Sequence, residues 1–252
     1  MAKMKLFVFM VCFYILISCL VISCKNYNFI DEKTLDDIIE SGSDKSLVSE
    51  DFSDEELSLI SHITQESPPY KLTYAEKVLR AGFEFEEHKV QTEDGYILTV
   101  WRVPRRIGER NDTIRSPVVL QHGLLDDSWT WFALNTTKCL PILLAQQNFD
   151  VWLPNSRGNM FSNEHINPEY DSSKLKSKFW NYTWHEMAKF DLPAVAEYVK
   201  KITNFEKLKW VGHSQGTMQF FLSHALDPQY MESTFEKFAS LGTVVTVFNS
   251  VK

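Results

Sequence analysis

One short stretch restricts this chain to a small set of folds. The apolar run Leu208-Lys209-Trp210-Val211 leads directly into Gly212-His213-Ser214-Gln215-Gly216, and a helical pattern follows from Gly216 to about Leu226. A buried strand that becomes a helix within five residues must double back sharply, and a side chain at either glycine would obstruct the turn. The serine at the apex then stands at the carboxyl end of a strand and the N-terminus of a helix. Unpaired N–H groups and the helix dipole favour negative charge there.

The rest of the chain supplies a matching framework. Tyr74 to Ala81 has a helical pattern, and Glu84 to Thr92 alternates as a strand. Glu93-Asp94-Gly95 signals a hairpin turn before Tyr96 to Val103, a β-branched and aromatic return strand. Val118-Val119-Leu120 is a short apolar strand ending in Gln121-His122-Gly123. Thr137 to Gln147 is helical, and Phe149 to Leu153 is another buried strand. Trp184 to Lys201 reads as a helix pair re-entered at Asp191-Leu192-Pro193, since proline is tolerated in a first turn. A last apolar strand, Phe238 to Val247, follows the helix after Ser214. Two antiparallel strands followed by βα alternation predict an α/β fold with a mainly parallel sheet.

In a turn of this kind the serine is a nucleophile, and the residue after it, Gln215, donates one N–H to the oxyanion. The second donor comes from the loop after the third strand. Here that loop is His122-Gly123-Leu124-Leu125, which makes Leu124 the expected donor, and Gly123 lets the backbone approach closely.

The N-terminus carries different information. Lys3 and Lys5 precede an uncharged apolar stretch from Leu6 to Ile22, with small residues before Cys24, which reads as a signal peptide over 1–24. A retained signal anchor, which would leave the protein membrane-bound, is the competing reading because the apolar run is long. Asn111, Asn135 and Asn181 head Asn-x-Thr sequons, so they are expected glycosylation sites on a protein passing through the secretory pathway. Cys139 is then the one cysteine expected in the folded part, as a buried thiol in a helical pattern, and no disulfide framework or CxxC pattern is present.

The formal charge of −7 is unevenly distributed. Between Asp31 and Glu56 eleven acids face two lysines, and this Ser-rich stretch has few aromatics. Residues 25–67 therefore read as a disordered acidic pro-segment or linker, and 68–252 as the folded core. That core is near neutral and has no basic stripe, which argues against a nucleic-acid partner.

Several blocks, in order, carry a family resemblance: Thr92-Glu-Asp-Gly-Tyr-Ile-Leu98, Gln121-His-Gly-Leu-Leu125, Asp150-Val-Trp-Leu153 with Asn155-Ser-Arg-Gly-Asn159, His185-Glu-Met-Ala-Lys189 with Asp191-Leu-Pro-Ala194, and Val211-Gly-His-Ser-Gln-Gly-Thr217. With them the chain resembles the acid lipases, α/β-hydrolases that include gastric and lysosomal enzymes and insect relatives. Pro154 stands where the family has glycine. The resemblance implies hydrolysis of triacylglycerols or cholesteryl esters at a lipid–water interface through an acyl-enzyme on Ser214. Leu124 and Gln215 would form the oxyanion hole, without cofactor or metal, in a secreted or lysosomal protein.

The same resemblance sets an expectation of incompleteness. In this fold the order is Ser, then Asp or Glu, then His. Downstream of Ser214 the only histidine is His224, ten residues into the next helix, about 15 Å along its axis. A base must come within roughly 3 Å of the hydroxyl, so His224 is excluded by geometry. Asp227, Glu232 and Glu236 share its problem. The expectation is an α/β-hydrolase fold represented by about its first six strands, without cap or last strands, and poorly active for want of a triad acid and base. The alternative is a catalytically incompetent homologue acting as a lipid-binding or interaction module.

The remaining histidines are assigned plainer roles. His213 is expected to face the core and His122 to be a structural donor beside the loop. His62, His88 and His165 are expected at the surface. His185-Glu186 is not a zinc motif, because Lys189 takes the place of a second histidine. Trp129 and Trp131 could line an acyl pocket or simply pack.

Overall fold

A computed structural model describes residues 69–110, 112–133 and 138–245. The signal peptide, the acidic segment, Asn111, Asn135 and the end of the last expected strand lie outside these residues.

The hairpin forms as its alternation predicts. Helix α1 (Pro69–Arg80) precedes strands β1 (Glu86–Gln91) and β2 (Tyr96–Val103), which pair antiparallel. Gly95 takes a φ of 97° at the turn, and a Cβ there would stand 2.8 Å from His165. Strand β3 (Ser116–Gln121), helix α2 (Leu140–Gln146) and strand β4 (Phe149–Pro154) form the first parallel unit. A two-residue strand β5 (Glu164–His165) pairs with β2. Strand β6 (Leu208–His213), helix α5 (Gln215–Leu226), helix α6 (Pro228–Thr234) and strand β7 (Phe235–Leu241) complete the described residues.

The main sheet order is β1-β2-β4-β3-β6-β7. Strands β4, β3, β6 and β7 are parallel, and β2 joins β4 antiparallel. The last strand occupies Phe235–Leu241 rather than Phe238 to Val247, because α6, capped by the Asp227 side chain on the Tyr230 N–H, turns the chain back earlier than apolarity alone suggests.

The region expected as a helix pair is continuous. Helix α3 (Trp184–Glu186) opens with a capping box between Thr183 and Glu186, passes into a π-helical segment (Met187–Asp191) and continues as α4 (Leu192–Thr203). Pro193 has no N–H to return to the preceding turn, and the wider π turn accommodates it where a break was expected.

Alternate residues of each strand enter different cores. Trp101, Val118, Leu120, Val151 and Val211 pack on one face with α1, α2 and a 3₁₀ turn at Ser128–Phe132. Val100, Val119, Trp152 and Trp210 pack on the other with Leu192, Val195 and Val199 of α4, Phe220 and Met231. The parallel strands are thus apolar on both faces, as a sheet covered by helices on each side requires. Their carboxyl ends all point to one edge, and the loops there form the candidate site.

Candidate active site at the carboxyl ends of the parallel strands

Ser214 sits between β6 and α5 with φ 51° and ψ −112°. A non-glycine residue held at positive φ costs on the order of 1–3 kcal/mol and persists only where its surroundings enforce it. Those surroundings are visible on both sides. The Ser214 N–H donates to the Leu241 carbonyl at 2.9 Å, and its own carbonyl accepts from the Thr217 N–H at 3.0 Å and the Thr217 hydroxyl at 2.7 Å. A Cβ on Gly212 would stand 2.7 Å from the Gly216 backbone, and one on Gly216 would stand 2.6 Å from the Gln121 carbonyl oxygen. Both glycines are therefore dictated by close backbone approach.

Ser214 Oγ has no hydrogen-bond partner among the described residues. The Gln215 N–H begins α5 and is one of the donors that a helix leaves unpaired at its N-terminus. The Leu124 N–H likewise has no partner among the described residues. The loop bearing it lies against the elbow: a Cβ on Gly123 would come within 3.2 Å of both Ser214 Cβ and His213 Nδ1. Leu124 is exposed, and Leu125 is almost fully exposed with φ 56°. The three residues expected at the site, Ser214, Gln215 and Leu124, thus share one strand edge.

A second loop, after β4, holds this arrangement from behind. The Ser156 N–H donates to His122 Nε2 at 3.0 Å, and His122 Nδ1 lies 2.9 Å from the Gly123 carbonyl oxygen. Gln121 Nε2 donates to Ser156 Oγ at 3.0 Å. Asn155 Oδ1 accepts from the Ser128 N–H, and the Ser128 hydroxyl donates to the carbonyls of Leu153 and Pro154. Pro154 ends β4, where its missing N–H breaks no bond to this network. Sequence reasoning assigned no role to Ser128, Asn155 or Ser156. The Asn155-to-Asn159 block was their one signal, and only the fold reveals what it touches.

Arg157 anchors that second loop. Its side chain is wholly buried, bonding Asp191 Oδ1 through Nε at 2.9 Å and Asp94 through both terminal nitrogens at 2.6 and 2.9 Å. The guanidinium also lies 4.0 Å from the Tyr96 ring centre. Burial pushes the Asp191 carboxyl up to about 6 despite Arg157. The guanidinium is shifted upward, further into its charged range: burial works against its charge, and the two carboxylates outweigh it.

The histidines divide clearly. His122 is buried, and burial lowers its pKa, as it does for His213. His213 faces Trp131 edge-on at 6.4 Å between ring centres, and its buried Nδ1 has no hydrogen-bond partner. His224 is exposed on α5. His88 and His165 are half-buried, a correction to their expected surface placement. His88 bonds Tyr198 and Glu86 across β1, and His165 stacks on Tyr170 at 4.0 Å. No described histidine has a ring nitrogen hydrogen-bonded to Ser214.

Trp129 packs on Tyr74 at 4.0 Å and under Lys77 Nζ at 4.3 Å, tying α1 to the loop, while Trp131 is buried in the core. Cys139 is a buried thiol whose pKa burial pushes up to about 11. Asn181 is exposed at the end of a 3₁₀ turn (Lys178–Trp180). Among the described residues no cluster of three or more His, Cys, Asp or Glu side chains is arranged to hold a metal ion, and no helix is long and apolar enough to cross a membrane.

The sheet order and the serine-bearing turn between β6 and α5 define an α/β-hydrolase, and a model of the alpha/beta hydrolase fold matches residues 116–238. A model of the partial alpha/beta-hydrolase lipase region matches residues 74–135. Lipase 1 of Drosophila melanogaster is 43% identical over 153 residues, covering 61% of this chain and 32% of that protein. Gastric triacylglycerol lipase of Bos taurus is 38% identical over 72% of this chain and 45% of its own length. Human lysosomal acid lipase/cholesteryl ester hydrolase is 38% identical over 73% of this chain and 45% of its own length. The chain is an acid lipase-like α/β-hydrolase, and its match spans less than half the length of these curated relatives.

Proposed function

We propose that this chain carries the nucleophile-bearing part of a lipase-type carboxylic ester hydrolase of lipid catabolism, acting on triacylglycerols or cholesteryl esters at a lipid–water interface. The observation that carries this reading is the strained Ser214 at the strand-to-helix turn, against which the loop bearing Leu124 packs through Gly123, with Gln215 opening the helix that follows. Ser214 Oγ attacks the ester carbonyl carbon, and the carbonyl π pair moves to oxygen, where the Leu124 and Gln215 N–H groups stabilise it. Collapse of that intermediate breaks the bond to the leaving alcohol, which takes up a proton, and leaves an acyl-serine for water to hydrolyse. The proton from Ser214 must pass to a general base.

No described histidine serves as that base, so the full reaction requires one from outside the described residues. Without it, the oxyanion donors and substrate binding sustain only residual catalysis, orders of magnitude below an intact triad. This same observation favours a second reading, a catalytically incompetent homologue that binds lipid or a partner. Passage through the secretory pathway to the lysosome or cell exterior fits the relatives' kind, with Asn111, Asn135 and Asn181 as proposed glycan acceptors and 1–24 as the proposed signal peptide.

Fluorophosphonate labelling of the purified chain tests the proposal. We expect slow incorporation of one probe per chain, abolished by Ser214→Ala. Labelling that persists in that variant, or none after prolonged exposure to a large probe excess, overturns the assignment of Ser214 as nucleophile and leaves the binding-module reading.

A further inference from the structure

The imidazole of His122 is buried between the two loops and bonded on both sides. Its Nε2 receives the Ser156 N–H at 3.0 Å, with the Asn159 amide nitrogen also 3.5 Å away. A backbone N–H can only donate, so Nε2 must present its lone pair. A neutral ring that accepts at Nε2 carries its proton on Nδ1. That proton then points at the Gly123 carbonyl oxygen, 2.9 Å from Nδ1.

The consequence passes through one peptide unit. The Gly123 carbonyl and the Leu124 N–H belong to the same peptide, which is planar and trans. In a trans peptide these two groups point in opposite directions. Fixing the carbonyl toward the His122 ring therefore fixes the Leu124 N–H away from it. Gly123 itself lies against Ser214 and His213, and its lack of a Cβ permits that contact.

We infer that His122 is a positioning residue: locked as the Nδ1–H tautomer by the Ser156 N–H, it holds the 123–124 peptide so that the Leu124 N–H stays aimed as an oxyanion donor. The inference rests on the proposed role of Leu124 beside Ser214. It also gives the loop after β4 a function, because Ser156 is held in place by its neighbour Arg157, which is clamped between Asp94 and Asp191. The ring does not touch substrate; it acts through the peptide.

Two measurements test this on the full chain. Imidazole nitrogen NMR of the uniformly ¹⁵N-labelled protein reads the tautomer directly and does not depend on activity. A protonated Nδ1 with an unprotonated Nε2 is expected; the reverse tautomer overturns the inference. The second measurement is the limiting fluorophosphonate labelling rate at saturating probe. His122→Gln cannot place a donor at the Nδ1 position, whereas the amide nitrogen of His122→Asn can. Losing one oxyanion donor costs about 10²- to 10³-fold. His122→Gln should therefore lower the limiting rate by about 10²-fold, with little change in the half-saturating probe concentration, and His122→Asn should restore it to within about threefold. Equal rates in wild type and His122→Gln, or equal losses in both variants, overturn the positioning role. If either variant fails to fold by circular dichroism, the tautomer decides alone. Failure of the Ser214 assignment is distinguishable, because Ser214→Ala would still label while the tautomer stayed as inferred.

Discussion

A Cβ on Gly216 would stand 2.6 Å from the Gln121 carbonyl oxygen and 2.9 Å from that of His122. The first turn of α5 therefore rests directly on the end of β3, and the elbow and the loop after β3 are positioned by one backbone contact. Because both obstructing atoms are main chain, nothing nearby can rotate away. Gly216→Ala should destabilise the fold by about 1–3 kcal/mol, the usual cost of overpacking a filled site. Urea unfolding checks this: an unchanged midpoint would mean that α5 can shift without cost.

Ser214 at φ 51° is a residue whose conformation works against the fold. Glycine adopts that region without a Cβ penalty. Ser214→Gly should raise stability by about 1 kcal/mol, as relief of strain exceeds the extra freedom of glycine in the unfolded chain. The same variant should lose all fluorophosphonate labelling. A lower denaturation midpoint would show that the strain is smaller than the backbone angles indicate.

Arg157 is a buried charge with two carboxylate partners. Removing one side of such a cluster leaves the other buried and uncompensated, at a cost of about 3–5 kcal/mol. Arg157→Met should reach that range. Lysine cannot reproduce the fork that spans Asp94 and Asp191, so Arg157→Lys should also destabilise, by less. Chemical denaturation of the two variants is the measurement, and a neutral Arg157→Lys would refute the geometric argument.

Glu86 provides a pH-dependent contribution. Burial alone would raise its pKa, but the His88 hydrogen bond and the Arg102 guanidinium at 2.8 Å outweigh this and lower it to about 2 from 4.5. A carboxyl with a depressed folded-state pKa adds stability above its unfolded value, and that stability is lost as pH falls through the folded value. The contribution should be complete above pH about 5 and disappear progressively from pH about 4.5 to about 2. With partial solvent screening it amounts to about 1–2 kcal/mol. Wild type and Glu86→Gln should therefore converge in stability in acid, and parallel stability curves across this range would contradict the assignment.

The local elements were legible where one physical signal dominated. The apolar run from Leu208, the paired glycines and the helical pattern after Ser214 were sufficient to place the elbow, because a strand-to-helix reversal in so few residues has very few backbone solutions. The Glu84 to Thr92 alternation, the β-branched and aromatic run Tyr96 to Val103 and the Glu93-Asp94-Gly95 turn placed the hairpin for the same reason. Short-range terms decide such features. The end of β7 was misjudged because Val244 and Val245 are as apolar as a strand, and apolarity does not record where β6 stops offering partners.

Contacts between distant segments could not be read this way. His122 and Ser156 are separated by 34 residues, and the pairing that fixes the His122 tautomer exists only because β3 and β4 are adjacent and parallel. The role of Arg157 has no local signal, because Asp94 and Asp191, which close around it, lie 63 and 34 residues away. His88 is misplaced by sequence because Trp152 and Tyr198, the rings it packs against, are far along the chain, and His165 because Tyr96, which closes over it beside the neighbouring Tyr170, is likewise distant. The sequence alone determined that Ser214 would occupy a sharp turn between a strand and a helix, since that follows from backbone sterics within a few residues. Which groups surround that serine was decided only by the tertiary structure, because hydrogen bonds and ion pairs across the sheet depend on strand order, and strand order follows from burying both faces of the sheet at once.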